Sequence, residues 1–313
     1  MNFDVAPLEH GLAFGAIVSG LDPADLRDEE TRRALYDLWI REGVVVFKGL
    51  DGEETQLELS RCFGKLVPHP TREARATHPE LMTVRYQPDN GWLIDVDGEL
   101  RGTWLPWHSD LIYVDRINHG GILRPLVLPS RLGQTGFIDK IAAYASLPDG
   151  LKAQIEELDV IYKYDLDPGH QKFGRTARVR VERFSPDVIS IQSRLDDFPR
   201  VLHPLVYTQR ETGRKVLNLS PWFAVGIHGM ENPEGDILLE QVAQHIVRDQ
   251  RPYYHDWEMG DMVLWDNWRV LHSAAGSPVD EERWMLRTTI EGDYGLGRAE
   301  ADAELDRSGY ISV

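Results

Sequence analysis

Apolar positions in this chain cluster in short runs that turn residues separate. Residues 44–47 form the clearest run, Val-Val-Val-Phe, and such β-branched runs are typical of a strand buried on both faces. A second apolar run, 262–265, directly follows a Gly-Asp turn. Further strands are predicted at 81–86 and at 285–291.

Helical periodicity is clearest over residues 24–42. Acidic residues come early in this segment, and Leu35, Leu38 and Trp39 recur on one face before Gly43 ends it. Three further helices are predicted at about 53–62, near 139–158 and near 236–248.

This order of elements predicts the fold class. Many short strands with a few flanking helices indicate a mostly β, α+β fold, as in an antiparallel barrel or jelly roll, rather than alternating βαβ units. No repeat and no Gly/Ser-rich linker divides the chain, so we predict one domain over 1–313. The stretch 71–106 is rich in Pro, Gly, Asp and aromatic residues, and we interpret it as an active-site lid.

Charge and cysteine content exclude several classes of protein. The 313 residues carry a formal net charge of −17, which argues against nucleic acid or an anionic membrane as partner. Cys62 is the single cysteine, so an intrachain disulfide or an iron–sulfur cluster is excluded. No run of about 18 apolar residues and no signal-peptide pattern is present. We therefore expect a cytoplasmic protein with no membrane partner.

Histidine supplies the candidate chemistry, since Gly-rich phosphate loops, H-E-x-x-H and G-x-S-x-G are absent. His108 and Asp110 are two positions apart, so on an extended strand both side chains would face one metal ion. A third ligand would complete a two-His, one-carboxylate set with open positions for Fe(II). Taken alone, H-x-D could equally be a surface pair.

Two arginines near the C-terminal strand point to an anion. Arg283 and Arg287 have an even offset, so both can face one side of a strand. Burying two guanidinium groups beside apolar residues is costly without anionic partners, and arginine suits carboxylates. The alternative is that both arginines lie on the surface and pair with acidic residues there.

Beyond these pieces, an ordered series of motifs covers about 10–293. The chain resembles the taurine dioxygenase/2,4-dichlorophenoxyacetate dioxygenase family of Fe(II)- and 2-oxoglutarate-dependent oxygenases. The motifs that carry the resemblance are V-V-V-F at 44–47, F-G-K-L-V-P-H-P at 63–70, W-H-S-D at 107–110, L-P at 128–129, Thr135, A-A-Y at 142–144, H-P-L-V at 203–206, G-D at 260–261, W-D-N at 265–267, His272 and 283–289.

The resemblance implies a double-stranded β-helix (jelly-roll) core and a set of site residues. His108, Asp110 and His272 would bind Fe(II), while Thr135 and Arg283 would bind 2-oxoglutarate. His69 and Arg287 would contact an anionic substrate. The implied reaction uses O2 to hydroxylate a small carboxylate or sulfonate, and converts 2-oxoglutarate to succinate and CO2. Relatives are commonly dimers or tetramers, so we expect a homo-oligomer.

Substrate class stays open at this point. Trp92 and Trp104 in the predicted lid, the neighbouring Trp107 and the pair Trp222-Phe223 favour an aromatic or bulky apolar acid. The same chemistry on a neutral or amine-bearing substrate is one alternative. A non-catalytic relative that binds a metal or a small molecule is another.

Several other residues receive structural interpretations. We expect Trp265 and Asp266 to brace the turn before His272, His203 to be structural, and Cys62 to pack in its helix.

Overall fold

The computed structural model describes residues 2–68, 78–193, 195 and 198–300. Its strands, in chain order, are β1 (Asp4–Pro7), β2 (Ala16–Ser19), β3 (Val44–Lys48), β4 (Leu81–Tyr86), β5 (Leu93–Val96), β6 (Glu99–Gly102), β7 (Leu105–His108), β8 (Gly120–Val127), β9 (Thr135–Asp139), β10 (Asp159–Tyr162), β11 (Val179–Arg183), β12 (Val201–Pro204), β13 (Val206–Thr208), β14 (Lys215–Leu217), β15 (Ala224–Ile227), β16 (Tyr253–His255), β17 (Asp261–Asp266), β18 (Val270–Ala274), β19 (Arg283–Ile290) and β20 (Arg298–Ala299). Its α-helices are α1 (Glu29–Glu42), α2 (Glu53–Arg61), α3 (Lys140–Ser146), α4 (Asp149–Ile155), α5 (Pro186–Gln192) and α6 (Pro233–Asp249).

Two sheets position the site. One has seven strands in the order β1-β2-β3-β17-β8-β19-β4, and the other has four in the order β16-β9-β18-β7. A second four-stranded sheet has the order β15-β10-β12-β20, and two smaller sheets have the orders β11-β5-β6 and β13-β14. All pairings are antiparallel except that of β2 with β3. The predicted mixture of many strands and few helices is confirmed.

Strand β3 shows why an entirely apolar run folds here. Val44 and Val46 pack against the four-stranded sheet, in one cluster with Phe137 of β9. Val45 and Phe47 point the other way and pack with helices α1 and α2. Because successive side chains alternate between faces, a strand covered by a sheet on one side and helices on the other is apolar at every position.

Helix boundaries differ from the predictions at two places. The segment predicted as one helix over 24–42 is a 3₁₀ turn (Pro23–Arg27) followed by α1, because Asp28 is extended and its carboxylate caps α1 by accepting from Thr31 N. The helix predicted near 139–158 is two helices, α3 and α4. Pro148 separates them, since a proline disfavours helical conformation in the residue before it, and Leu147 is extended.

The other predicted elements agree with the structure to within a few residues. They are strands β3, β4, β17 and β19 and helices α2 and α6. Among the described residues, no helix is both long and apolar enough to cross a membrane.

The predicted lid range contains regular structure in its described part. Strand β4 belongs to the seven-stranded sheet, and β5 and β6 form a hairpin that pairs with β11. Residues 71–77 of that range lie outside the described residues. The lid function itself stays a prediction.

Candidate active site

Three metal-ligating side chains converge in a pocket between the two large sheets. His108 ends β7 and lies opposite His272 of β18 in the ladder. Asp110 Oδ1 is 3.9 Å from His108 Nε2, and Asp110 Oδ2 is 3.5 Å from His272 Nε2. Within the described part of the chain, this is the one group of three potential ligands whose donor atoms all lie within 4.8 Å of one another.

Asp110 reaches this position differently from the expectation. Strand β7 ends at His108, so Asp110 lies in the following turn and not two positions along a strand. The side-chain amide of Asn267 holds that turn in place. Asp110 N donates to Asn267 Oδ1 at 2.7 Å, and Asn267 Nδ2 donates to Asp110 O at 2.9 Å. The sequence named Asn267 only as part of the W-D-N motif and predicted no role for it, although it lies in the turn before His272.

The protonation states of His108 and Asp110 suit a divalent metal. His108 Nδ1 donates to Pro106 O at 2.7 Å, which leaves the lone pair of Nε2 facing the other two ligands. Burial, together with the nearby His272, lowers the pKa of His108 to about 3. Burial raises the pKa of Asp110, but Arg287 and the two histidines outweigh it and hold that pKa well below its usual value. Two imidazoles and a carboxylate leave coordination positions open for other ligands.

The two predicted arginines lie on the same face of β19 and both line the pocket. Arg287 Nη2 donates to Asp110 Oδ2 at 2.6 Å, and its guanidinium lies 5.0 Å from the centre of the Trp265 ring. Arg283 Nε donates to Gly133 O at 3.1 Å. Among the described residues, no carboxylate lies within ion-pair distance of Arg283, and burial lowers its pKa to about 10. Arg283 therefore stays charged at neutral pH and can bind an anion.

Thr135, at the start of β9, faces the same pocket. Its backbone pairs with Ala274 of β18 and His255 of β16. The structure therefore brings together six of the seven predicted site residues: His108, Asp110, Thr135, His272, Arg283 and Arg287. The seventh, His69, lies outside the described residues.

Aromatic side chains form the wall of the pocket beside the metal-ligand cluster. The ring of Trp222 packs edge-on against His108 at 5.2 Å between ring centres and stacks on Phe223 at 4.4 Å. Phe223 contacts Tyr113, which stacks on Tyr164 at 4.0 Å. Helix α5 adds Val188 and Ile191, two further lining residues that the sequence analysis did not single out.

Of the three tryptophans in or next to the predicted lid, one lines the pocket and two line a separate groove. Trp92 lines the pocket, whereas Trp104 and Trp107 line a separate groove with Tyr254. Trp107 precedes His108 on β7, and side chains alternate along a strand. It therefore faces away from the metal-ligand cluster and packs against Tyr254, with 5.8 Å between ring centres.

The remaining structural interpretations agree with the contacts. Asp266 Oδ1 accepts from the backbone of Trp268 and Arg269, and so braces the turn before His272. His203 is fully buried and donates to Val114 O. Cys62 is buried at the end of α2, and burial raises the pKa of its thiol to about 11.

Comparison with known proteins agrees with this geometry. The family model described as "Taurine catabolism dioxygenase TauD, TfdA family" matches residues 4–289. The chain belongs to this family. It is thus a non-haem dioxygenase that depends on Fe(II), 2-oxoglutarate and O2. The predicted family and cofactors are confirmed, and the non-catalytic alternative is wrong.

Individual relatives match over most of their length. The (S)-phenoxypropionate/alpha-ketoglutarate-dioxygenase of Sphingobium herbicidovorans is 34% identical, covering 93% of this chain and 96% of the relative. The alpha-ketoglutarate-dependent 2,4-dichlorophenoxyacetate dioxygenase of a Burkholderia species is 30% identical, covering 88% and 89%. The solved structure of AAD-2 in complex with Mn(II) and N-oxalylglycine is 26% identical, with a TM-score of 0.69 and coverage of 95% and 100%.

Proposed function

We propose that this dioxygenase hydroxylates a small carboxylate or sulfonate with an apolar, aromatic body. His108, Asp110 and His272 hold Fe(II), Thr135 and Arg283 hold 2-oxoglutarate, and Arg287 binds the anionic group of the substrate. His69 is the predicted second contact to that group. The hydroxylation is coupled to conversion of 2-oxoglutarate to succinate and CO2.

The observation that carries the proposal is the buried guanidinium of Arg283. It shares one pocket with the three ligands and has no carboxylate partner among the described residues. A buried, uncompensated charge is costly, and a dicarboxylate bound to the metal by one end would compensate it with the other. Arginine also presents a planar pair of N–H donors that fits a carboxylate.

Bound Fe(II) and 2-oxoglutarate together supply the activation of O2. The residues of this chain supply orientation and exclusion of water. Trp222 and Phe223 cover one side of His108. A substrate that packs against these two rings would therefore lie next to the metal-ligand cluster. An apolar wall of this kind limits side reactions with water.

Two kinds of evidence support an aromatic acid. The wall formed by Tyr113, Tyr164, Trp222 and Phe223 offers ring faces and edges to an aryl group. Relatives named for phenoxypropionate and for 2,4-dichlorophenoxyacetate point to the same class.

The hydrogen bond from Arg287 to Asp110 favours a second candidate class of substrate. Its Nη2 lies 2.6 Å from Asp110 Oδ2, so this arginine can serve to hold a metal ligand and leave the substrate without an anionic anchor. The substrate would then be neutral or amine-bearing, with the same chemistry.

Larger features of the protein also belong to the proposal. The seven-stranded and four-stranded sheets that enclose the pocket support a jelly-roll core. Trp92, next to β5, borders the pocket, which supports the lid role of the 71–106 region. A cytoplasmic location and a homo-oligomeric state stay predictions from the sequence.

The first test is an anaerobic titration of metal-free protein with Fe(II) and 2-oxoglutarate, with the visible absorbance of the chelate as readout. We expect a band in the wild type and none in His108→Ala. Succinate release is then measured with aryloxy acids, sulfonates, sulfate esters, and neutral and amine analogues. No band from folded wild type that binds iron would contradict the assigned roles.

Arg287→Ala separates the two candidates. If Arg287 binds the substrate anion, KM for an anionic substrate rises while the affinity for 2-oxoglutarate is unchanged. If it only holds Asp110, metal affinity falls and KM for the substrate does not change.

A further inference from the structure

Lys140, the first residue of α3, carries a buried amino group directly behind the metal-ligand cluster. Its side chain is completely buried, and among the described residues no carboxylate lies within ion-pair distance of it. Its Nζ donates to Ser109 Oγ at 3.2 Å and to Asn218 Oδ1 at 3.3 Å. Burial lowers the pKa of Lys140 to about 7, against the attraction of Asp266 and Asp139 from beyond ion-pair distance. Burying an amino group whose hydrogen-bond partners are neutral costs stability, so its position calls for an explanation other than stability.

The first partner of Lys140 lies between two metal ligands. Ser109 separates His108 from Asp110 and is itself fully buried. In this contact Lys140 Nζ donates and Ser109 Oγ accepts. Ser109 N in turn donates to Ser220 Oγ at 3.0 Å. Hydrogen bonds thus fix both the side chain and the backbone N–H of Ser109.

The backbone of Lys140 contacts the segment that leads to the third ligand, His272. Lys140 N donates to Arg269 O at 3.0 Å, and Arg269 lies in the turn that leads into β18 and His272. One residue therefore connects the segment that carries His108 and Asp110 to the segment that carries His272.

We propose that Lys140 is a positioning residue of the metal centre, whose Nζ fixes Ser109 by a hydrogen bond and thereby the relative placement of His108 and Asp110. This inference rests on the ligand roles proposed above. Partners behind metal ligands typically change metal affinity by about 10–100-fold when removed.

The test measures Co(II) affinity and the visible Co(II) spectrum of the folded protein. We expect Lys140→Met to weaken Co(II) binding at least about ten-fold and to change the position or intensity of the bands, which report ligand geometry. Lys152→Met on the neighbouring helix α4 makes the same substitution where Nζ donates only to Ala145 O among its hydrogen bonds, and should leave both readouts unchanged.

A double-mutant cycle with Ser109→Ala tests the contact itself. If the hydrogen bond from Lys140 to Ser109 carries the effect, Ser109→Ala weakens Co(II) binding as well, and the double variant is no weaker than Lys140→Met alone. Additive effects would overturn the proposal, because they would assign the role of Lys140 to its charge.

Other outcomes are equally decisive. Lys140→Met that is folded, by circular dichroism, and binds Co(II) as the wild type does would overturn the inference. If Lys140→Met does not fold, Ser109→Ala alone decides, and unchanged affinity and bands overturn it. Wild type that binds no Co(II), or His108→Ala that binds it equally well, would instead contradict the proposed ligands.

Discussion

The indole Nε1 of Trp257 donates a hydrogen bond to the hydroxyl of Thr135, with 3.1 Å between nitrogen and oxygen. Because Thr135 Oγ1 accepts this bond, its own hydrogen can be donated into the pocket. The ring of His255, which contacts Asp261 through Nε2, packs edge-on against Trp257 at 4.6 Å between ring centres. Under the proposed roles, the contact orients Thr135 as a donor to the carboxylate of 2-oxoglutarate.

Removing this indole donor should weaken 2-oxoglutarate binding without affecting the metal. A net hydrogen bond contributes about 0.5–1.5 kcal/mol, so Trp257→Phe should raise the Kd of 2-oxoglutarate about 2–10-fold, and Thr135→Ala at least as much. Titration of the Fe(II) protein under anaerobic conditions measures both. Trp104→Phe, in the separate groove, is the control, and an unchanged Kd in Thr135→Ala would refute the assignment.

Arg283→Gln should separate binding from stability. Hydrogen bonds to charged groups contribute about 1.5–3 kcal/mol, so we expect the Kd of 2-oxoglutarate to rise about ten-fold or more. The free energy of unfolding should not fall, since the substitution removes a buried charge that has no counter-ion among the described residues. Urea unfolding and the same titration measure the two effects.

The matched control for Arg283→Gln is Arg124→Gln on β8. Arg124 is buried but paired with Asp51, so its replacement should lower stability and leave 2-oxoglutarate binding unchanged. The opposite pattern would contradict the role of Arg283.

Asn267→Ala should loosen Asp110. The substitution leaves both backbone groups of Asp110 without their partner, which costs about 1–3 kcal/mol of stability, and should weaken Co(II) binding about ten-fold or more. Asn232→Ala, which removes the cap of α6, costs about 1 kcal/mol with no effect on Co(II). Equal Co(II) affinity in the two variants would rule out the clamp.

His203 should make the fold sensitive to acid. Burial lowers the pKa of His203 from its ordinary value of about 6.5 to about 4, so the unfolded chain binds more protons than the folded protein between these two pH values. Stability is therefore lost as pH falls from about 6.5 to about 4, by about 3 kcal/mol from this residue. His203→Gln keeps the donor to Val114 O and should reduce the loss, whereas the exposed His228→Gln should not. Urea unfolding at pH 4.5 and pH 7 measures the difference.

Periodicity and spacing predicted the parts of the site that depend on local structure. The apolar run 262–265, which lies in β17, and the even offset of Arg283 and Arg287 on β19 each follow from the geometry of one segment, and both are found. Pro148, which separates α3 from α4, is also a local signal, so the sequence alone could have predicted this break between the two helices.

Contacts between distant segments could not be predicted in this way. The amide of Asn267 and the amino group of Lys140 act on residues 157 and 31 positions away. Nothing in the local pattern of a turn or a helix start names such partners. The placement of Asp110 beyond the end of its strand depends on them, so its exact geometry required the structure.

The 157 positions between Asp110 and Asn267 also bear on how the protein matures. Contacts between segments so far apart require closure of a long loop, so the three proposed ligands meet only when β7 has paired with β18 and Asn267 holds the turn at Asp110. An ion that needs all three ligands binds the native chain in preference to partly folded ones and shifts the equilibrium toward it by mass action. Acquisition of the metal would thus select for chains that have completed folding.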